Sequence, residues 1–417
     1  MMTAAASATP RTRSLLEHFS QIRDTRQPCK VMYPLSEVLL LVVCGTMAAC
    51  DDYDDIVLWG NRHLPFLRGL QEYHHGIPCA DWLRVVMNRI EPALFSACFL
   101  SFVTERLPDA VGQIAIDGKT SQGKTSRRSH DRGSGQAALH LVSAYATTHN
   151  LVLGQRAVAD KSNEITAIPL LLAQLAASGA LGGSLVSIDA MGCQSQIAEK
   201  IVDLGGDYLL ATKDNQKTAH AEIELYFDKA PHDEVEALAE VEKAHGRIET
   251  RRHLVSRRVD WMSGKRRYPD EPRFKGLRTI AMIETSIERD GVVRTERRCY
   301  ISSRLLTAQA FATAARAHWA IKNGLHWVLD VTFKEDQSRL RRGHGATNMA
   351  LIRHLALNVI RSMQGETSIK GKRKLATGIL STSQPQSVSI RVKRDLLPWS
   401  HGSTFGNHAN RLVTVSR

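Results

Sequence analysis

From Ser14 to about Leu107, apolar residues recur every three or four positions. LLEHFSQI, PLSEVLLLVVCGTMAAC, YDDIVLWGNRHLPFL, ADWLRVVMNRI and EPALFSACFLSFVTERL all keep that period, the mark of helices with a buried face. Pro34 and Pro92 stand where helices start, because a first-turn amide has no intrahelical partner to lose. HHGIPCAD has loop composition. The pattern predicts a compact domain of four or five helices over residues 13–108, after a flexible tail of residues 1–12. The most apolar run, Val38 to Cys50, is shorter than the ~20 residues that span a bilayer, so it predicts a buried helix and no membrane segment.

Beyond Pro108 the period changes. QIAIDGK, HLVSAYAT, LVLGQRAV, SLVSIDA and DYLLATK are short apolar or alternating runs of strand character. EITAIPLLLAQLAASGA and QSQIAEKIVDLGG are helical, the latter closing on Gly205. Three strands in close succession fit an antiparallel meander. The strands separated by helices need crossovers and are expected to be parallel. A mixed five-stranded sheet flanked by helices is the ribonuclease-H-like α/β architecture. It is assigned to residues 109–363, with a β-rich insertion or sheet extension at about 217–303. Two late amphipathic helices, TAQAFATAARAHWAIKNGLHWVLDVTF and ATNMALIRHLALNVIRSM, complete that domain. Residues 364–417, with the basic patch GKRKLATG, are expected to be poorly ordered.

Hydrophobic content of 43% and charged content of 23% place the chain among ordinary globular proteins. The formal charge of +13 then favours a polyanionic partner, nucleic acid first and an anionic membrane surface second. A merely basic protein is the plain alternative. The seven cysteines include no CxxC pair, which fits reduced thiols in the cytoplasm and argues against zinc; a DNA partner would make the expected location nucleoid-associated. The N-terminus lacks the apolar stretch of a signal peptide.

Two aspartates carry candidate chemistry. Asp117 ends the strand of IAIDGKT, where Gly118 lets the backbone turn, and Asp189 ends the strand of SIDAMGCQ. Each alone fits a turn or cap residue. Together they fit a metal site, because neighbouring strand ends lie about 5 Å apart.

With these motifs stand DKSNEITAIPLLL, GGDYLLATKDNQ, HGRIETRR, YISS, HWAIKNGLHWVLDVTFKEDQSR and NMALIRHLALN. In that order, from about Phe19 to Asn358, the chain resembles the DDE transposases of bacterial insertion sequences, in the branch that includes the H-repeat-associated proteins. FSQIRDTRQPCKVMYPLSEVLL resembles that branch's N-terminal associated domain. The resemblance implies a ribonuclease-H-like core and double-stranded DNA as partner, both terminal inverted repeats and target. It also implies a homo-oligomer on DNA and Mg²⁺ or Mn²⁺, two ions in all. Asp117 and Asp189 match the first two acids of the catalytic triad. Two ions about 3.5–4 Å apart can activate an attacking oxygen and stabilise a leaving one.

The third acid departs from the family pattern. Trp319, Ala320, Ile321 and Asn323 fit the late-helix motif, but Lys322 occupies the glutamate position. A lysine about 4 Å from a divalent ion is repelled by roughly 8 kcal/mol at an effective dielectric of 20. On a continuous α-helix Asp330 lies about 12 Å along the axis and cannot substitute. His318 and His326, one turn to either side, can bind Mn²⁺ better than Mg²⁺, or contact DNA. The leading reading is a working transposase that binds terminal inverted repeats and cuts and rejoins DNA; the alternatives are a silent DNA-binding descendant, favoured by Lys322, and a generic metal nuclease on the same fold.

DNA contacts are expected from Lys119, Lys124, Arg127 and Arg128 after Asp117, and from Lys213 with Gln216. His245, Arg247, Arg251 and Arg252 alternate along a strand, either as a DNA track or as a solvated face. Asn163 and Glu164 are expected at the start of a helix, as cap and first-turn residue, with a role at the metals as the alternative. Cys193 has no identifiable base. Trp319 and Trp327 are expected in the core, with base stacking as the alternative.

Overall fold

The structure is a computed structural model that describes residues 14–107, 111–120, 139–158, 164–244, 247–263, 274–340, 342–363 and 365–382. Its described residues form two units, one from those up to 107 with those from 328 onward, the other from 111 to 327.

The first unit is helical. Its N-terminal part comprises α1 (Leu15–Phe19), α2 (Leu35–Met47), α3 (Tyr53–Arg62), α4 (Leu64–Arg68), α5 (Ala80–Arg89) and α6 (Pro92–Thr104). YDDIVLWGNRHLPFL splits into α3 and α4 at His63, because Pro65 sits in the first turn of a new helix. α2 is apolar all round and correspondingly buried all round. It lies close to α3: a Cβ on Gly60 would stand 2.6 Å from Leu41 Cδ1, and one on Gly45 2.9 Å from Ile56 Cγ1.

The last amphipathic helix, α13 below, joins this unit rather than the sheet. The chain reaches it through a short helix, Trp327–Val331, numbered α12. α13 (Gly345–Ser362) packs on α2, α5 and α6 and is buried along nearly its whole length. Asn348 anchors it by donating to Met87 O at 2.8 Å and Ile90 O at 2.9 Å, carbonyls at the C-terminus of α5. The expected poor order from residue 364 does not hold as far as 382. There α14 (Ile369–Thr382) packs on α13 and α2. Arg373, from the basic patch, is buried and donates to Thr46 O of α2 at 2.8 Å. A carbonyl at the end of α2 needs a donor, and a guanidinium reaches it. Residues 1–12 and those beyond 382 lie outside the described residues.

The second unit carries one nine-stranded sheet. Its first part contains β1 (Gln113–Thr120), β2 (His140–Ala146), β3 (Leu151–Val158), α7 (Glu164–Ala177), β4 (Leu185–Ile188), α8 (Ser195–Asp203) and β5 (Asp207–Thr212). After α9 (Lys217–Lys229) come β6 (Glu236–Ala244), β7 (Arg247–Ser256), α10 (Asp260–Ser263), β8 (Thr279–Arg289) and β9 (Val292–Ser302). The order is β3-β2-β1-β4-β5-β9-β8-β7-β6. β1, β2 and β3 form the antiparallel meander, and β4 and β5 run parallel to β1.

The sheet exceeds the expected five strands because the insertion does not fold apart. β9 pairs antiparallel with β5, Thr212 opposite Cys299, so that β5 is not left as an open edge. α11 (Ala308–His318) lies across both halves, and its Phe311 and Ala315 share one apolar cluster with Leu185, Leu209, Val255 and Ala281. Among the described residues no single helix is long and apolar enough to cross a membrane.

Candidate active site

Asp117 and Asp189 stand at one level, where the parallel pairing of β1 with β4 ends; Asp117 does not end its strand as expected, because β1 runs on to Thr120 paired with β2. Ile116 is paired with Ile188, and each aspartate is the next residue. Strand IAI of β1 is wholly buried, so Asp117 follows into a nearly closed setting at 8% exposure. Burial pushes its carboxyl up to about 6; the nearby carboxylates of Asp189 and Glu164 add to the rise, and Lys322 opposes it. Asp189 accepts from Met191 N at 3.2 Å, capping the turn that leads away from β4. Asn215 and Gln216 hold the far side of that turn by donating to Cys193 O, at 3.2 and 3.0 Å. Gln216, read from sequence as a DNA contact, is therefore a buried strut. Lys213 beside it is exposed.

Glu164 is the group that sequence reasoning undervalued. It begins α7, as expected, yet its buried carboxylate rests over Gly118, where any Cβ would collide with it. His140 Nε2 lies 2.6 Å from Glu164 Oε1, and His140 Nδ1 bonds Thr120 Oγ1 at 2.8 Å. The cue was available as Gly118 directly after the aspartate. Its meaning depended on which helix start would cross it.

The late helix is not a continuous α-helix. α11 ends at His318 and a π-helical turn follows over Ile321–His326. Such turns gather side chains at functional sites. Gly324 lets the turn lie against β2, since a Cβ there would be 2.7 Å from Tyr145 Oη. The widened turn directs two residues at Asp117: Lys322 Nζ is 3.6 Å and His326 Nδ1 3.7 Å from Asp117 Oδ2. His318 instead bonds Ser187 Oγ at 3.0 Å through Nδ1. Burial drives its pKa down to about 4, so it is neutral at pH 7. Trp319 and Trp327, expected in the core, are 44% and 57% exposed. Trp319 lies between two cations, Lys322 Nζ at 4.8 Å and Arg298 Cζ at 5.6 Å from its ring centre.

The arginines of β7 are engaged with acids. Arg247 lies 3.3 Å from Glu249, and Arg251 meets both Glu249 and Glu242. Arg252 lies 3.3 Å from Glu284 on β8. A phosphate would have to displace these partners. Lys119 follows Asp117 on β1 and is half-buried. Lys124, Arg127, Arg128, Asn163 and His245 lie outside the described residues. Cys193 is buried, and burial raises its thiol to about 12, which leaves it unsuited to nucleophilic work.

Residues 112–359 match the family model described as transposase DDE domain, and residues 16–103 match the one described as DDE_Tnp_1-associated. The chain belongs to the DDE transposases, in the H-repeat-associated branch. It is 40% identical to the H-repeat-associated protein YhhI of Escherichia coli K12 over 360 residues, 84% of this chain and 90% of YhhI. To YncI of Escherichia coli O157:H7 it is 39% identical over 369 residues, 87% of this chain and 91% of YncI. Among solved structures, a piggyBac transposase synaptic complex with hairpin DNA aligns with 88% of this chain and 75% of its own, at 9% identity and a TM-score of 0.43.

DDE transposases generally use divalent metal ions. The acids of this DDE transposase suit such an ion: Asp117, Asp189 and Glu164 are hard oxygen donors. Lys322 does not. Its ammonium stands 3.6 Å from Asp117 Oδ2 and would repel a cation held by that carboxylate. The residues present therefore do not fit a pair of divalent ions.

Proposed function

We propose that this DDE transposase binds the terminal inverted repeats of its element but does not cut DNA in its present sequence. The observation that carries this is the contact of Lys322 Nζ with Asp117 Oδ2 at 3.6 Å. A built-in cation neutralises the first acid of the site and repels the metal that would activate an oxygen nucleophile. The strand order β3-β2-β1-β4-β5, with a meander followed by two parallel strands, supports a ribonuclease-H-like core. The net charge of +13 supports DNA as the partner, held as double-stranded ends by a homo-oligomer. Binding then weakens steeply with added salt.

The test compares the protein with its Lys322→Glu variant on a labelled duplex bearing the element's end, in Mg²⁺ and then in Mn²⁺. Cleavage by the variant alone, with equal binding by both, is the expected result. Cleavage by the unaltered protein, abolished by Asp117→Ala, overturns it. That outcome would favour a second reading, in which Glu164 serves as the third acid; its carboxylate already lies over Gly118, beside Asp117. Glu164→Gln would then abolish cutting.

A further inference from the structure

A second cluster of donor atoms lies outside the groups around Asp117. His220 and Glu224 sit one turn apart on α9, and Cys299 lies on β9 opposite Thr212 of β5. One ligand atom from each of the three lies within 4.8 Å of the others. His220 Nε2 is 3.8 Å from Glu224 Oε1. We propose that His220, Glu224 and Cys299 form a site for a zinc-class divalent cation, with solvent completing the coordination.

The chemistry selects the metal. Thiolate, imidazole and carboxylate together suit Zn²⁺, whereas Mg²⁺ prefers oxygen alone. In a tetrahedral zinc site neighbouring ligand atoms are about 3.3–3.6 Å apart, so the three side chains need to close by only ~1 Å. His220 is already oriented: its Nδ1 lies 3.3 Å from Thr212 Oγ1. With Nδ1–H donating to that hydroxyl, the lone pair of Nε2 is free for the metal, the usual arrangement behind a ligating histidine. His220 and Glu224 are partly exposed, which provides an entry path, while Cys299 forms the buried floor.

Burial raises the Cys299 thiol to about 12, with the Glu224 charge adding to the rise and Arg297 opposing it. Without metal the sulfur is thus protonated. On binding, the Sγ–H bond breaks, its proton passes to solvent, and the sulfur electron pair forms the Sγ–metal bond. Arg297 does not compete for the acid of this cluster, because it is drawn to Asp228 at 3.0 Å and Glu284 at 3.0 Å. A bound ion would pin α9 to β9, where the insertion joins the first part of the sheet.

The test uses the full chain, stripped with chelator and titrated with Co²⁺. The expected result is a thiolate-to-cobalt charge-transfer band that saturates at one equivalent and is displaced by Zn²⁺. Cys299→Ser and His220→Ala should each abolish the band, and Thr212→Val should weaken affinity roughly 10-fold. Cys299 is buried, so its variant is accepted only if circular dichroism is unchanged. His220→Ala, on a partly exposed helix face, decides the matter by itself. Loss of the band with an unchanged fold supports the site. Absence of the band in the unaltered protein, or its persistence in His220→Ala, overturns it.

Discussion

The pocket around Asp117 and the outer face of β6–β9 both pair acids with cations, but they differ in burial. Asp117, Glu164 and His140 are 8%, 5% and 2% exposed. The side chains of Arg247, Arg252 and Glu242 on the outer face are 50%, 55% and 56% exposed. Water and salt screen the outer pairs, which therefore hold little energy and exchange partners readily. Inside the pocket the acids are screened less, although the Lys322 side chain that faces Asp117 is itself 41% exposed.

The largest test of that contrast is Lys322→Glu: on the proposed function, only this variant should cut element ends in a metal-dependent way. Lys322→Gln sharpens it. It removes the charge but restores no ligand, so a gel cleavage assay should show at most a small fraction of the Lys322→Glu rate.

His140→Ala comes next. It removes one hydrogen-bond partner of the buried carboxylate of Glu164, 2.6 Å away, and should cost about 1–3 kcal/mol in urea unfolding.

Asp117 supplies a pH test. Its carboxyl rises from 3.8 to about 6 on folding, mainly through burial. The folded state therefore holds more protons than the unfolded state between those values. Stability should be fully retained below about pH 4 and should fall by about 3 kcal/mol as pH rises through 6. Asp117→Asn should abolish that decline. Lys322→Met should carry it to higher pH, because the lysine is what holds Asp117 down.

The smallest effect belongs to the outer face. Arg252→Ala, which loses Glu284 at 3.3 Å, should change stability by less than about 1 kcal/mol. A loss as large as that of His140→Ala would break the comparison.

Asp117 and Asp189 stood out because each follows an apolar run, a pattern local to a few residues, although only Asp189 precedes a turn; β1 continues past Asp117. Lys322 was legible because its neighbours Trp319, Ile321 and Asn323 keep the family motif around it. Glu164 read first as a helix-start residue, since its place beside Asp117 depends on Gly118 lacking a Cβ where α7 crosses β1. The exposure of Trp319 was hidden too, because the α-helical period on which its burial was judged gives way to a π-turn. The helix α14 escaped notice because Arg373 reads as a soluble charge until the carbonyl end of α2 gives it a partner.

The sequence by itself determined the family and the order of an N-terminal run of helices followed by β1 to β5 with their helices. These depend on period and on residue identity along the chain. Only the tertiary structure decided that α13 packs with the N-terminal helices, that the insertion extends the sheet, and that His220, Glu224 and Cys299 meet. Each of those rests on contacts between residues far apart in sequence, which close approach and burial create and no local pattern records.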